Sequence, residues 1–387
     1  MKKLILPMLL LGSIVSFSQT VVQDTSATKN QQVNAVQNIL NGTASQGITV
    51  GGYAEVDYNQ PEGDNGKLDV HRLVMFLGYK FSERVQFVAE IEYEHVKELY
   101  VEQAFINYSL NGKVNIRGGL MLVPMGIINE YHEPTTFNGV ERPNSDKSIV
   151  PTTWREIGVG VTGKFDDASL RYQAYLFNGF ASVNGDKVLG GSNGLRNGRQ
   201  KGAESTINTP TFSAKVDYYG LPGLRLGASG YFGRTQAEDD VQETLGADVG
   251  IAMFGLDARY INKRFSARAQ YIHALISDAN DYNSLNDADL GSELKGWYTE
   301  AAFNLLPLAK EQKLDAFVRY EQYDTHAATY EAGIDRNLGY NRQEWTAGLS
   351  YHIANGAVVK ADYQMLDNAI DGYDAKGQLN VGIGVWF

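Results

Sequence analysis

The chain has 387 residues and a formal net charge of −11; it contains no cysteine, and 41 glycines, 23 tyrosines and 16 phenylalanines stand against 9 prolines. The missing cysteine excludes a disulfide framework, a thiolate metal site, a cysteine nucleophile and a lipoprotein anchor. The acidic balance argues against a nucleic-acid partner, which would need a basic face.

Residues 1–18 read as a secretory signal peptide: Lys2 and Lys3, an apolar stretch from Leu4 to Val15, then Ser16-Phe17-Ser18 as a small-x-small cleavage site, so that the mature chain starts at Gln19. The apolar stretch is too short to cross a bilayer, which takes about 20 residues, and no later run is long enough. The longest, Gly118 to Ile128, is broken by Gly119, Pro124 and Gly126. Residues 19–47 are polar, with a weak helical pattern from Val33 to Leu40, and read as an N-terminal periplasmic segment.

From Ile48 the pattern has a period of two. In 85–94, Val85, Phe87, Ala89, Ile91 and Tyr93 alternate with a set that contains Glu90, Glu92 and Glu94. A helix would spread these glutamates around its circumference, whereas a strand keeps them on one face. Continued along the chain, the pattern predicts about sixteen strands of the length a tilted membrane strand needs. They fall near 48–58, 68–81, 85–96, 98–110, 114–126, 155–165, 170–180, 209–220, 224–233, 250–262, 265–276, 293–306, 313–324, 343–354, 357–368 and 378–387.

The connections alternate between short and long. Short ones such as Asn111-Gly112-Lys113, Leu221-Pro222-Gly223 and Asn355-Gly356 have tight-hairpin chemistry. Long polar ones occupy 127–154, 181–208, 234–249, 277–292, 325–342 and 369–377. Short turns at one rim and long loops at the other predict an all-β fold, a transmembrane antiparallel β-barrel spanning 48–387 in a Gram-negative outer membrane, surrounded by its lipid. In lipid a sheet satisfies its backbone only by closing, so the last strand, Leu379 to Phe387, should pair with the first. One strand breaks the alternation. In 98–110, Glu102 falls with Tyr100 and Ile106 while Gln103 and Asn107 fall with Val101 and Phe105; burial against a neighbouring subunit or a different register would account for it.

The segment Leu122–Gly160, LVPMGIINEYHEPTTFNGVERPNSDKSIVPTTWREIGVG, resembles the phosphate-selective porin O and P family. The resemblance implies a homotrimeric sixteen-stranded porin for small hydrophilic solutes or ions, anions such as phosphate among them. It also implies a constriction loop, here 127–154, with His132, Arg142 and Lys147 as candidates within it. The family's arginine ladder finds no residue-by-residue match.

Turning each strand's polar face inward gives pore-lining candidates Arg72, Glu90, Glu92, Glu94, Arg117, Arg171, Arg225, Arg259, Arg268 and Arg319. Lys215, Lys360, Glu55, Asp57, Asp217, Asp257, Glu300, Glu321, Glu344 and Asp362 share that face. An Arg or Lys on lipid at the midplane would cost about 2–4 kcal/mol. The signs are nearly balanced, so a mixed, solvated lumen is the favoured reading, with a field between opposite walls as its alternative.

Other motifs carry no chemistry. Gly158-x-Gly160-x-x-Gly163 matches a dinucleotide fingerprint but sits within one strand, without the following helix. His132-Glu133 lacks the second histidine of a zinc-protease helix, and the row Glu90, Glu92, Glu94 reads first as a wetted wall and second as a divalent-cation site. No cofactor and no enzymatic activity are expected. The alternatives to a pore are a barrel hydrolase, with a triad assembled from distant strands, and a non-conducting adhesin or scaffold.

Overall fold

The computed structural model describes residues 33–42, 47–238 and 244–387. The signal-peptide reading lies outside the described residues. Sixteen antiparallel strands close on themselves: β1 Gly47–Pro61, β2 Lys67–Lys80, β3 Val85–Glu94, β4 Glu98–Asn111, β5 Val114–Leu122, β6 Arg155–Phe165, β7 Leu170–Phe177 and β8 Thr211–Leu221 form the first half. The second half is β9 Leu224–Arg234, β10 Gly250–Asn262, β11 Phe265–Ser277, β12 Glu293–Asn304, β13 Lys313–Ala328, β14 Asn341–Ala354, β15 Ala357–Asn368 and β16 Lys376–Trp386. Each pairs with its sequence neighbour, and β16 pairs with β1 from Tyr53↔Trp386 to Pro61↔Gln378. The terminal Phe387 exchanges backbone hydrogen bonds with Gly52, so the chain end itself completes the closure. No backbone edge is left for lipid to desolvate.

The outward face carries Leu73, Met75, Val159, Leu176, Leu256, Val318, Leu349 and Ile383, all exposed, while their inward neighbours are buried or, at Gly158, Gly160 and Gly348, half-buried. A band of that kind is stable only against hydrocarbon. At the short-turn rim, aromatic pairs such as Tyr79–Phe81 and Phe165–Tyr172 form part of an interfacial girdle.

β5 stops earlier than its periodicity suggests, at Leu122 rather than near 126, because Pro124 has no N–H to donate and Gly126 adopts φ +66°. The mixed strand β4 is explained by a bulge: Glu90 faces Gln103 but Ile91 faces Val101, so Glu102 is an extra residue. Parity reverses there, and both Glu102 and Gln103 turn inward and are buried. The glycines of the false nucleotide fingerprint have a packing role. A Cβ on Gly158 or Gly160 would lie 2.5 Å or less from the Phe177 or Tyr175 ring, which crosses over them from β7.

A short helix, α1 (Ala35–Leu40), precedes the barrel, with Asn34 Oδ1 capping Gln37 N–H at 2.9 Å. Its Ile39 packs against inward-facing Gly78 so closely that any Cβ there would clash. Gln86 Nε2 donates to Leu40 O at 3.0 Å, which seats α1 inside the barrel near the short-turn rim.

Candidate functional site

The segment between β5 and β6, residues 123–154, folds into the barrel and meets strands on every side. Its backbone donates from Val140 N to Asp362 (2.6 Å), from Ser145 N to Glu321 (2.9 Å) and from Ile127 N to Gln270 (2.6 Å). Its side chains continue the pattern: Asn138 donates to Glu300, and Asn144 to Glu344. Strand residues reciprocate, with Lys215 Nζ donating to Gly126 O at 2.5 Å and Arg268 Nη2 to Thr136 O at 3.1 Å. A loop this long without such partners would leave its backbone polar groups unsatisfied once it entered the interior. The inward charges of the strands supply those partners.

The strand candidates fall into this network. Arg72 lies between Glu55 (3.2 Å) and Glu92 (3.3 Å). Arg225 holds Asp217 through two nitrogens, at 2.6 and 3.0 Å, and donates to Tyr131 Oη at 2.5 Å. Arg259 stacks over the Tyr131 ring at 4.5 Å and lies 3.6 Å from Asp217. Arg268 pairs with Glu300 at 3.0 Å. Arg319, with 0% side-chain exposure, lies 3.5 Å from Glu300 and 3.3 Å from Glu321, and its guanidinium donates to Asn138 O and Glu141 O of the loop.

The remaining candidates are more loosely held. Arg117 donates to Asn107 at 2.9 Å and covers the Phe105 ring. Arg171 is half-buried opposite Asp217 in the register, and Glu94 is half-buried, 4.0 Å from His71 and from His95. Glu90 is fully buried and accepts from Gln103 Nε2 at 2.6 Å. Of the loop candidates, His132 is buried against Glu90 and Glu102. Arg142 donates to His132 O at 2.9 Å, and Lys147 is exposed. The interior charges are therefore mixed, as expected, but many are desolvated and paired rather than bathed in water.

The lumen is also more apolar than the strand pattern suggested. Towards the long-loop rim, inward Tyr231, Ile251, Met253, Ile272, Ile276 and Leu294 bury against Trp154, Phe180, Leu189, Leu195 and Tyr282 of the connecting loops. Trp154 and Phe180 stack at 4.5 Å.

A second constellation lies in the β7–β8 connection, residues 178–210. Arg155, Lys187, Arg196, Arg199 and Lys201 line a cavity of about 620 Å3 at the long-loop rim, together with Tyr100, Leu120 and the outward-facing Leu99 and Val101, so that it borders the outer wall as well. Arg199 Nη1 donates to the carbonyls of Pro151, Thr152 and Thr153, and Arg196 donates to Thr152 O. Lys201 Nζ stands 4.8 Å over the Tyr100 ring. Burial, reinforced by neighbouring cations, lowers the pKa of Arg196, Arg199 and Lys201. The direction marks positive charge held without a matching carboxylate. Sequence reasoning missed these residues because a loop has no period to reveal which side chains converge. It also missed the capping role of Glu133, whose Oε1 accepts from Ala35 N at 2.6 Å and ties α1 to the folded loop.

The chain is similar to known outer-membrane proteins. An uncharacterized protein of Aquifex aeolicus is 34% identical over 339 residues, covering 82% of this chain and 75% of that one. Among solved structures, the outer membrane channel DcaP of Acinetobacter baumannii superposes with TM-score 0.59 at 13% identity, covering 89% of this chain and 99% of its own. An anion-selective porin from Comamonas acidovorans gives 0.56 at 13%, covering 88% and 100%. The trimer form of Vibrio cholerae OmpT, an outer membrane protein, gives 0.56 at 13%, covering 89% and 100%. At these identities the structures establish the sixteen-stranded porin fold. The family model described as phosphate-selective porin O and P matches residues 47–376, nearly the whole barrel, and with the closed outer-membrane barrel described above it places this chain in the phosphate-selective porin O and P family.

Proposed function

We propose that the protein is a porin through which small hydrophilic solutes diffuse passively, with anions such as phosphate favoured at its long-loop mouth. The observation that carries the anion preference is the cavity lined by Lys187, Arg196, Arg199 and Lys201, beside Arg155, which Glu102 already matches. A rim of one sign concentrates the opposite ion and raises its entry rate. The deeper charges contribute less, because Arg72, Arg225, Arg268 and Arg319 are each matched by carboxylates. In this reading residues 127–154 narrow the passage; Arg142 and Lys147 are the loop candidates that reach it, while His132 is buried behind them. A homotrimer in outer-membrane lipid is the expected assembly, in keeping with the trimer form described for the Vibrio relative.

Planar-bilayer recording is the test. Purified protein should give stepwise conductance, and in a KCl gradient its reversal potential should report chloride as the more permeant ion. Phosphate should block part of the chloride current. A cation-selective reversal potential sinks the anion preference alone. Folded protein that never conducts favours the second reading, a non-conducting scaffold, for which the close packing of α1 and the loops within the barrel speaks.

A further inference from the structure

The geometry points to a divalent transition-metal site, built by Glu90, Glu102 and His132, that ties the folded loop to the barrel wall. The three residues are buried, and Glu90 Oε1, Glu102 Oε2 and His132 Nε2 all lie within 4.8 Å of one another. His132 Nε2 stands 3.4 Å from Glu90 Oε1 and 3.5 Å from Glu102 Oε2. Charge-assisted hydrogen bonds close to about 2.7–2.9 Å, so these separations are long for a proton shared between the groups. They match instead the edge of a coordination tetrahedron, about 3.4 Å when each ligand sits about 2.1 Å from zinc.

The other polar atoms of each ligand are already held. Gln103 Nε2 donates to Glu90 Oε2 at 2.6 Å. Thr153 Oγ1 and Arg155 Nη1 donate to Glu102 Oε1, at 2.6 and 3.0 Å. His132 Nδ1–H donates to Asn129 O at 3.1 Å, because a carbonyl can only accept, and this fixes Nε2 as the atom facing the two carboxylates. Supporting bonds of this kind orient metal ligands. Glu102 Oε2, by contrast, meets no N–H donor within hydrogen-bond distance although Glu102 is 0% exposed, and its other close neighbour is a second carboxyl, that of Glu92. Leaving a buried carboxylate oxygen bare is costly, and a cation removes that cost.

The bulge in β4 is what brings Glu102 here, since regular alternation would have turned it to lipid once Gln103 faced inward. Tyr53 Oη, 3.4 Å from Glu90 Oε1, is a further polar neighbour. A cavity of about 30 Å3, bordered by Glu90 and His132 but not by Glu102, leaves room for one water beside the site. One imidazole nitrogen with two carboxylate oxygens suits zinc, manganese or ferrous iron better than calcium or magnesium. The site stands whether or not the barrel conducts.

The test is calorimetric titration of zinc chloride into the full chain, folded in detergent and stripped with chelator. One zinc should bind per chain, with affinity falling as pH drops and His132 takes up a proton. His132→Gln and Glu102→Gln should each weaken binding by at least about tenfold. His71→Gln should leave it unchanged, because His71 Nδ1 is already closed onto Asp57 at 3.0 Å. No zinc uptake by the unmodified chain, or undiminished affinity in both site variants, overturns the proposal; so does loss of binding in His71→Gln. Should the site variants fail to fold, cobalt added to the unmodified chain gives a second readout. Intense visible bands of four-coordinate cobalt are expected, and the weak spectrum of six-coordinate cobalt refutes the site.

Discussion

The two longest connections hold their charge in opposite ways. Residues 123–154 lie deep in the barrel, where strand residues of either sign meet them: Asp362 accepts from Val140 N, Glu321 from Ser145 N, and Arg319 reaches two loop carbonyls. Residues 178–210 lie at the rim, and Arg196 and Arg199 find backbone carbonyls there rather than carboxylates. A desolvated charge deep in the barrel requires a partner and so becomes architecture. A rim charge with access to solvent, as at half-buried Arg196 but not at buried Arg199, can keep its valence for a passing solute. The paired strand arginines thus serve as scaffold, and on the porin reading proposed above the loop cations are the ones to test for selectivity.

The largest expected effect tests the first half of that contrast. Arg319→Met leaves Glu321 buried without its cation and Glu300 with Arg268 alone, and should destabilise the folded barrel by about 3–5 kcal/mol, read as an earlier midpoint of urea unfolding in lipid vesicles. Unfolding at the wild-type midpoint would mean that the loop is not held by charge. Gly126→Ala comes next. Gly126 has φ +66°, and a Cβ there would stand 2.7 Å from Gln270 Oε1, so the same unfolding assay should show a loss of about 1–2 kcal/mol from the left-handed backbone alone.

The rim is sharpened by replacing Lys187→Gln and Lys201→Gln together, residues that make no ion pair among the described contacts. Chloride preference should fall while the unfolding midpoint stays within about 0.5 kcal/mol of wild type. The change should be clearest in dilute salt, because the screening length is only about 10 Å at 0.1 M. An unchanged reversal potential would move the search for selectivity back to the interior. Smallest of all is Lys147→Ala. Lys147 is exposed, so stability should not move, and only a change in single-channel chloride current would place this side chain on the solute path.

Much of the molecule was legible before any coordinates. The sixteen strands, their sequential pairing and the long segment between β5 and β6 follow from alternation and turn chemistry, and the terminal strand closes the barrel as lipid demands. The irregular strand was legible only as a contradiction. Glu102 and Gln103 cannot both face inward in a regular ladder, and it took the pairing with β3 to show Glu102 as the extra residue of β4, opposite the step from Glu90 to Ile91. The cationic cavity left no trace, since Arg155 comes from a strand while Arg196, Arg199 and Lys201 come from an aperiodic loop.

Outside the bulged strand β4, the sequence by itself determined which side chains face lipid and which face inward, because a period of two allows each strand only two faces and hydrocarbon tolerates only one kind of residue. Only the tertiary structure decided what the inward charges do. Their partners lie up to 222 residues away in the chain, as with Val140 and Asp362, and no local pattern encodes where a folded loop will come to rest inside a closed wall.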